Sequence, residues 1–318
     1  MIPFNRTFDP DYGQAQLLSA RVQRVVARNP GRFTWMGTGT ILVGGAKDVA
    51  IIDPGPDLEE HVQAITSAVG RRRVTHVLVT HNHLDHSGCA RVLADRFDAP
   101  LCGRRGLSVP NDASAARVEA EDDENFSPDI EVAGGWQASG QNWTVTAVHT
   151  PGHTAEHFCY ALEEERTLFC GDHVMAWSTS VVTPPDGHMG DYVASLARVR
   201  DMDFARLVPT HGAHIDNPRS FIDAYIGHRL RRREEIVGLL QRGVGTIRTL
   251  VDRLYHDLEP ALRPAASLSI WAHLIQLVEE GIAVAEAPGG PSARYQLLQP
   301  EALARSRSPT SPSPGTSA

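Results

Sequence analysis

Residues 74–88 have the sequence VTHVLVTHNHLDHSG, in which an apolar run ends at a dense group of ionisable side chains. Residues 74–80 favour a β-strand, because β-branched residues fit a pleated, half-buried surface. His81, His83, Asp85 and His86 then follow within six residues. Side chains alternate along an extended chain, so His81 and His83 point to the same side. Imidazole nitrogen and carboxylate oxygen are ligands that zinc prefers, and the turn is therefore a candidate metal site.

The alternative is a purely structural role, in which these histidines are core or surface residues with ordinary hydrogen bonds. That interpretation suits a lone histidine. It does not suit three histidines and an aspartate in one short turn. Ionisable groups packed together without a metal would each need another polar partner. The sequence therefore favours metal binding.

Three further candidate ligands, His153, Asp172 and His211, stand at the ends of later predicted strands. Each lies beside a glycine, which allows the backbone bends that direct a side chain into a crowded centre. Alone, each is a weak signal. Together with the first group they make seven candidate ligands, too many for one zinc ion and suited to two.

The chain between and beyond these groups predicts two architectures in succession. Strands are predicted at residues 41–43, 49–52, 74–80, 142–149, 158–162, 167–170 and 207–209, and helices at 57–69, 87–97 and 190–200. After residue 219, helices at about 219–242, 246–255 and 265–280 precede a hairpin at 282–285 and 295–298, which is the order of a winged helix. We expect a catalytic domain at 1–218, a winged-helix-like domain at 219–299 and a disordered tail at 300–318.

Composition limits the classes of partner. The net charge is −8, and residues 1–218 alone carry −10, with 18 basic and 28 acidic residues. This balance does not favour a general nucleic-acid binder. The absence of a long apolar run argues against a membrane span, and residues 1–6 lack the pattern of a secretory signal, so we expect a cytoplasmic protein. The four cysteines are expected to be reduced thiols.

Residues 81–86 match the H-x-H-x-D-H signature of the metallo-β-lactamase superfamily, which the chain resembles over about residues 30–215. The flanking matches follow in the right order: Asp53-Pro54-Gly55, Thr150-Pro151-Gly152-His153-Thr154, Gly171-Asp172 and Thr210-His211-Gly212. Residues 37–44, GTGTILVG, and the winged helix resemble one branch, which includes β-lactamase-like proteins related to a mitochondrial endoribonuclease. Gly39 replaces an asparagine that is common in that branch.

The resemblance implies an α/β fold, an αββα sandwich with two zinc ions at one edge. One ion would be held by His81, His83 and His153. The other would be held by Asp85, His86 and His211, with Asp172 bridging the two. Iron or manganese are alternatives to zinc. Asp53 stands where the family places a carboxylate that orients a ligand or a metal-bound water. The implied reaction is attack on a substrate by a metal-bridging hydroxide, which Asp85 would position.

Two other segments are weaker candidates. Residues 177–192 follow Asp172 and would form a wall of the substrate pocket, with His188 and Tyr192 as contacts; an ordered surface loop explains them equally well. The basic residues at 229–233 could meet a phosphate backbone, but the glutamates at 234 and 235 favour the solvated face of a helix.

The leading functional hypothesis is hydrolysis of a small carbonyl substrate, such as a thioester, ester or lactone. A single-strand-specific endoribonuclease acting on single-stranded RNA is the second, because two metals suit phosphodiester cleavage as well. An iron-dependent persulfide dioxygenase is the third, and a non-catalytic binding module is the fourth. A homodimer through the C-terminal helices is a further hypothesis.

Overall fold

The computed structural model describes residues 1–106, 122–286 and 289–298. The chain divides into two compact units between Arg232 and Arg233. The sequence predicts this boundary after residue 218 instead. The difference arises because the first part of the helix that begins at Pro218 is buried in the first unit, where the Tyr225 hydroxyl donates to Met175 O at 2.7 Å. The predicted tail at 300–318 lies outside the described residues.

The first sheet begins with antiparallel strands and continues with parallel ones. Its order is β1 (Ala15–Leu17), β2 (Val22–Val26), β3 (Gly39–Gly44), β4 (Asp48–Ile52), β5 (Arg73–Leu78), β6 (Leu101–Gly103) and β7 (Ile130–Glu131). Parallel neighbours need a crossover connection. Helix α1 (Glu59–Val69) joins β4 to β5, and α2 (Leu84–Ser87) and α3 (Ala90–Phe97) join β5 to β6.

The second sheet has five strands, and three of them end at the same edge because they run in one direction. The five are β8 (Gln137–Gly140), β9 (Trp143–His149), β10 (Phe158–Leu162), β11 (Thr167–Gly171) and β12 (Arg206–Pro209), in the spatial order β12-β11-β10-β9-β8. Strands β9, β11 and β12 share their direction. Helix α4 (Met189–Asp201) connects β11 to β12.

The core of the first unit lies in layers. Between the sheets, Trp143 and Val145 of β9 pack in one cluster with Ile52 of the first sheet. On the far side of the first sheet, Ile65 of α1 and Leu93 of α3 pack in a second cluster, and both are fully buried. Helix α4 is held to the second sheet, where Ser195 Oγ donates to Pro151 O at 2.9 Å. These layers are those of the predicted αββα sandwich.

The second unit contains the end of α5 (Pro218–Gln241), α6 (Ile247–Leu254), α7 (Arg263–Glu279) and the hairpin of β13 (Ala283–Ala285) and β14 (Tyr295–Leu297). Thr246 caps α6, because its side chain accepts a hydrogen bond from Thr249 N. Leu250, Ile270 and Leu274 are fully buried in its core. The order of helices and hairpin is the predicted one. No helix among the described residues is both long and apolar enough to cross a membrane.

Asp48 joins the two sheets through a buried hydrogen bond, which gives a test of the sandwich. Its carboxylate accepts from Trp143 Nε1 at 2.8 Å and from Gln141 N at 3.0 Å. We expect Asp48→Ala to lower the free energy of unfolding by about 2 kcal/mol, because an indole N–H would stay buried without an acceptor. The measurement is urea unfolding followed by tryptophan fluorescence.

The matched control is Asp95→Ala, which removes an exposed carboxylate paired with Arg91 at 3.5 Å. We expect it to change the free energy of unfolding by less than about 0.5 kcal/mol. Equal unfolding midpoints for the two variants would contradict the assignment of Asp48 as a link between the sheets.

Candidate metal centre

All seven predicted ligands lie just beyond strand ends at one edge of the sandwich. His81 and His83 follow β5, and the next two ligands lie on α2. His153 follows β9, Asp172 follows β11 and His211 follows β12. The strands that carry them share a direction within each sheet, so their carboxyl ends meet at the same edge.

The first group consists of three imidazoles. His81 Nε2 lies 2.9 Å from His83 Nδ1 and 3.3 Å from His153 Nε2. One ligand atom from each of the three lies within 4.8 Å of the others. The structure therefore brings together the predicted His81, His83 and His153 set.

The second group combines Asp85, His86 and His211. Asp85 Oδ2 lies 3.2 Å from His211 Nε2 and 3.8 Å from His86 Nε2. The three ligand atoms again lie within 4.8 Å of one another. The predicted Asp85, His86 and His211 set is therefore also assembled.

Asp172 stands between the two groups. Its Oδ1 is 3.5 Å from both His86 Nε2 and His211 Nε2. Its Oδ2 is 4.0 Å from His153 Nε2. One carboxylate thus presents a different oxygen to each group, which is the arrangement that the predicted bridging role requires.

Unpaired polar atoms test whether metal ions fit. Asp85 Oδ1, His86 Nε2, Asp172 Oδ1 and His211 Nε2 are buried and make no hydrogen bond within the described residues. A buried polar group without a partner is destabilising by about 1–3 kcal/mol. Nitrogen and carboxylate oxygen are the donors that borderline divalent metals take. The residues therefore fit divalent metal ions.

Backbone carbonyls hold the rings of two ligand histidines by accepting hydrogen bonds from Nδ1. His153 Nδ1 donates to Val181 O at 2.8 Å, and His211 Nδ1 donates to Gly37 O at 3.3 Å. A ring that donates from Nδ1 has its Nε2 lone pair free for a metal. The backbone therefore selects the tautomer that metal binding needs.

Asp53 fixes the third ring from a position behind the ligands. Its Oδ2 lies 2.9 Å from His86 Nδ1 and accepts from Thr210 Oγ1 at 2.6 Å and Thr80 Oγ1 at 3.0 Å. Its Oδ1 accepts from Thr80 N at 2.8 Å. The residue is 1% exposed. Asp53 therefore contacts the ligand ring of His86, as a carboxylate that orients a ligand would, and the further prediction that it is a catalytic residue stays a prediction.

Residues 37–40 also help to hold the ligands in place. Gly37 O accepts from His211, Thr38 Oγ1 donates to Asp85 O at 3.0 Å and Gly39 N donates to Thr210 O at 2.8 Å. A Cβ atom at Gly39 would lie 2.8 Å from Cδ of the buried Arg24. The glycine is therefore matched to the arginine that fills the space beside it.

His157 supports the centre without being one of the predicted ligands. Its Nε2 accepts from Asp172 N at 3.2 Å, and its Nδ1 lies 2.8 Å from Thr150 Oγ1. The ring is fully buried. It holds the backbone of the bridging carboxylate, but no spacing in the sequence connects it to residue 172.

The two predicted substrate contacts have different placements. Tyr192 has no exposed surface, and its hydroxyl donates to His173 O at 2.8 Å. The expectation that it contacts a substrate is therefore corrected, because its ring is packed inside the fold. His188 is half-buried and caps α4 by accepting from Asp191 N. Its backbone N–H donates to Gly152 O, beside His153, and its contact with a substrate stays a prediction.

The charges of the two groups have opposite effects on their histidines. Burial lowers the pKa of His83 to about 3, with a further contribution from His153. Burial and the neighbouring His86 hold the pKa of His81 well below its ordinary value. Burial also opposes protonation of His86, but the carboxylates of Asp85, Asp53 and Asp172 outweigh it and raise its pKa well above the ordinary value. In the metal-free protein His81 and His83 are therefore neutral at pH 7, whereas His86 carries a proton.

His211 and Asp85 show the same balance. Burial lowers the pKa of His211, but Asp172 and Asp85 overcome it and raise the pKa above 6.5. Burial alone would raise the pKa of Asp85, yet His86 and His211 lower it to about 2. Asp85 is therefore a carboxylate at neutral pH.

Comparison with known proteins gives the class. A family model described as the metallo-beta-lactamase superfamily matches residues 34–211, more than half of the chain. A second model, described as the beta-lactamase associated winged helix domain, matches residues 246–289. The chain belongs to the metallo-β-lactamase superfamily, and the predicted fold, a metallo-β-lactamase domain followed by a winged helix, is confirmed.

Individual relatives agree with this class. A Caenorhabditis elegans protein named beta-lactamase-like protein 2 homolog is 31% identical over 269 residues, which span 83% of this chain and 86% of the relative. A protein named atrochrysone carboxyl ACP thioesterase from Cryptosporiopsis sp. is 29% identical over 290 residues, 86% of this chain and 84% of its own. Together with the family match, they make this protein a metal-dependent hydrolase.

The fold recurs in solved structures. The crystal structure of a beta-lactamase domain protein from Burkholderia ambifaria matches with a TM-score of 0.76 and 21% identity, over 92% of this chain and 96% of that one. At this identity the likeness concerns the fold.

Asp53 gives a test of the centre that does not depend on a substrate. We expect Asp53→Asn to weaken metal binding by roughly 10–100-fold, because the amide no longer orients His86 as the carboxylate does. The measurement is metal dissociation in competition with a chromophoric chelator. Asp129→Asn, at an exposed carboxylate paired with Arg91, is the control and should bind metal as the wild type does. Unchanged affinity in Asp53→Asn would refute the positioning role.

The pKa shifts predict a pH dependence of metal binding. The pKa values of His86 and His211 are raised in the metal-free protein, so a metal must displace their protons. Binding at this group should strengthen as the pH rises, roughly tenfold per pH unit for each proton released, until the pH exceeds the raised pKa values. Calorimetry in buffers of different ionisation enthalpy measures the protons. Release of no protons at pH 7 would contradict the prediction.

Proposed function

We propose that this hydrolase holds two zinc ions and cleaves a carbonyl substrate, with a thioester as the first candidate and esters and lactones as the next. The observation that carries the proposal is Asp172, whose two oxygens face the two ligand groups separately. Two ions held by these ligands would polarise an acyl oxygen and lower the pKa of a bound water. Iron and manganese are the alternatives that a metal analysis would separate from zinc.

Asp85 is the side chain that would act on the reacting water. Its side chain is 13% exposed, whereas His86 and His211 have no exposed surface. Its Oδ1 makes no hydrogen bond within the described part of the chain. Because Asp85 is a carboxylate at neutral pH, it can accept a hydrogen bond from the reacting water and orient it toward the substrate. We assign the catalytic role to Asp85 and positioning roles to Asp53 and His157.

Thioester hydrolysis is preferred to RNA cleavage for two reasons. Relatives such as the Cryptosporiopsis protein are named thioesterases. In addition, residues 229–233 do not form a continuous basic surface. Arg229 is 4% exposed, donates to Ser180 O and lies over the Tyr192 ring, while Arg233 pairs with Glu280. These contacts and the acidic balance of the first unit disfavour a polyanion.

We extend the proposal to the location of the protein. All four cysteines are free and buried. Burial raises the pKa of Cys159 to about 12, so this thiol resists oxidation. Buried, unpaired thiols suit the reducing cytoplasm. A homodimer stays a prediction, which light scattering can test.

The deciding experiment offers the zinc-loaded protein a panel of acyl thioesters, esters and lactones beside a labelled single-stranded RNA. We expect hydrolysis of a thioester and a fall in kcat of at least about 100-fold in Asp85→Asn, because a neutral amide replaces the charged acceptor that orients the water. Metal content is measured on each variant, since Asp85 is also a candidate ligand. Asp123→Asn, at a nearby carboxylate that accepts from Ser87 Oγ, is the control with normal activity.

Other outcomes would favour the other hypotheses. RNA cleavage that weakens with salt, without hydrolysis of any carbonyl substrate, would establish the endoribonuclease. Isolation with a single iron and consumption of oxygen with a persulfide would establish the dioxygenase.

A further inference from the structure

Two tryptophans outside the ligand groups stack beside the candidate centre. The ring centroids of Trp35 and Trp177 are 5.4 Å apart, and the ring planes differ by 18°. Both residues are only half-buried, whereas the core residue Trp143 is 1% exposed. Stacked rings cover their inner faces and leave outer faces and edges for apolar contact, and we call this exposed surface of the pair the Trp35–Trp177 wall.

The wall borders the centre on the side of His211. A Cβ atom at Gly212 would lie 2.9 Å from Trp177 Cδ1 and 3.2 Å from Trp35 Cε3. Gly212 directly follows His211 and has φ +96°. Both rings therefore lie against the residue next to a ligand, at a distance that only glycine permits.

The loops that carry the two rings also hold ligand side chains. Trp35 stands two residues before Gly37, whose carbonyl accepts from His211. Trp177 lies in the loop between Asp172 and Val181, whose carbonyl accepts from His153. The positions of the rings and the ligands are therefore set by the same segments of backbone.

Contacts with Phe8 and Arg24 support the position of the Trp35 ring and of the backbone beside it. Trp35 has φ +51°, an unfavourable conformation for a large residue, which surrounding contacts must maintain. Phe8 lies 6.0 Å from the Trp35 ring, and the Arg24 guanidinium lies 4.5 Å from the Phe8 ring. Arg24 also donates to Gly212 O at 2.7 Å. A buried arginine thus supports the wall and the backbone beside His211 together.

Hydrogen bonding does not explain the position of Trp177. Its Nε1 is buried and makes no hydrogen bond within the part of the chain that the structure describes. The ring packs against Trp35 and beside the backbone of Gly212. Ordinary packing between loops would also bring two rings together, and the experiment below separates the two interpretations.

We propose that the Trp35–Trp177 wall binds a flat, apolar acyl group of the substrate while the carbonyl carbon lies at the metal centre. The proposal rests on the proposed carbonyl hydrolase and narrows its substrate class to thioesters of aromatic acids. A planar aromatic group both buries area and stacks on such a wall, whereas an acetyl group is too small to do either. Trp35 and Trp177 are thereby assigned as specificity-determining residues.

The test compares two thioesters of one small thiol, with acetyl and 2-naphthoyl as the acyl groups. In Trp177→Leu we expect KM for the naphthoyl thioester to rise about 10-fold, with kcat little changed, and KM for the acetyl thioester to change less than about twofold. Trp177→Phe keeps a ring that can stack and should restore most of the affinity. Trp136→Leu is the matched control, because this half-buried tryptophan packs edge-on against His76 instead.

A binding measurement separates failure of this inference from failure of the proposed function. Equilibrium dialysis of 2-naphthoate against the zinc-loaded protein needs no turnover. Naphthoate binding that Trp177→Leu weakens and Trp136→Leu does not would support the wall, even if no thioester were hydrolysed. Equal loss for both thioesters, or naphthoate binding that Trp177→Leu leaves unchanged, would overturn it. Tighter binding of a short oligoadenylate than of naphthoate, lost in Trp177→Leu, would assign the wall to nucleobases and overturn the acyl assignment.

Discussion

The buried carboxylate of Asp53 holds together the strand ends on which the candidate centre depends. It stands at the end of β4, and it accepts from Thr80 beyond β5 and from Thr210 beyond β12, so one side chain joins the edges of both sheets. Asp53 Oδ2, which accepts from both threonine hydroxyls, also lies 2.9 Å from His86 Nδ1. A buried charge is tolerated only where hydrogen bonds surround it. Asp53 satisfies that condition and, in doing so, fixes a ring whose Nε2 lies 3.8 Å from Asp85 Oδ2 and 3.5 Å from Asp172 Oδ1.

Charge imposes the second constraint. The His81, His83 and His153 group contains no carboxylate, so burial keeps His81 and His83 neutral. The other group mixes acids with histidines and retains protons. Asp85 Oδ1 makes no hydrogen bond within the described residues, and His86 Nε2, His211 Nε2 and Asp172 Oδ1 have ion-pair contacts at 3.2–3.8 Å instead of hydrogen bonds, so these polar groups are incompletely satisfied. A ligand that binds only the folded state offsets this loss, and metal binding and the local stability of this edge are therefore linked.

The sequence predicts the parts of the structure that are local and misses the parts that depend on contacts across the fold. The ligands at 81–86 are predictable because one strand and one short helix carry them all, and His153, Asp172 and His211 because each ends a strong strand. The short strands β1, β6, β7 and β8 have too few residues to show a period. Tyr192 is misassigned because only packing shows that its ring is enclosed, and the Arg229 contact with Ser180 is equally invisible along the chain.

At the end of β12, a candidate metal ligand directly precedes the residue that the proposed substrate-binding wall contacts, so metal binding and substrate preference are coupled in this protein. His211 presents Nε2 to the acidic ligand group, while Gly212, the next residue, presents its bare Cα to two tryptophan rings. A side chain at residue 212 would displace the rings or the strand end, and displacement of the strand end would move His211 Nε2 away from Asp85. Arg24 binds the carbonyl of the same glycine, so the support behind the wall is also the support behind the ligand. Substitutions that alter only the exposed ring faces should therefore leave the metal ligands in place. Substitution of Gly212 should alter both metal binding and substrate binding.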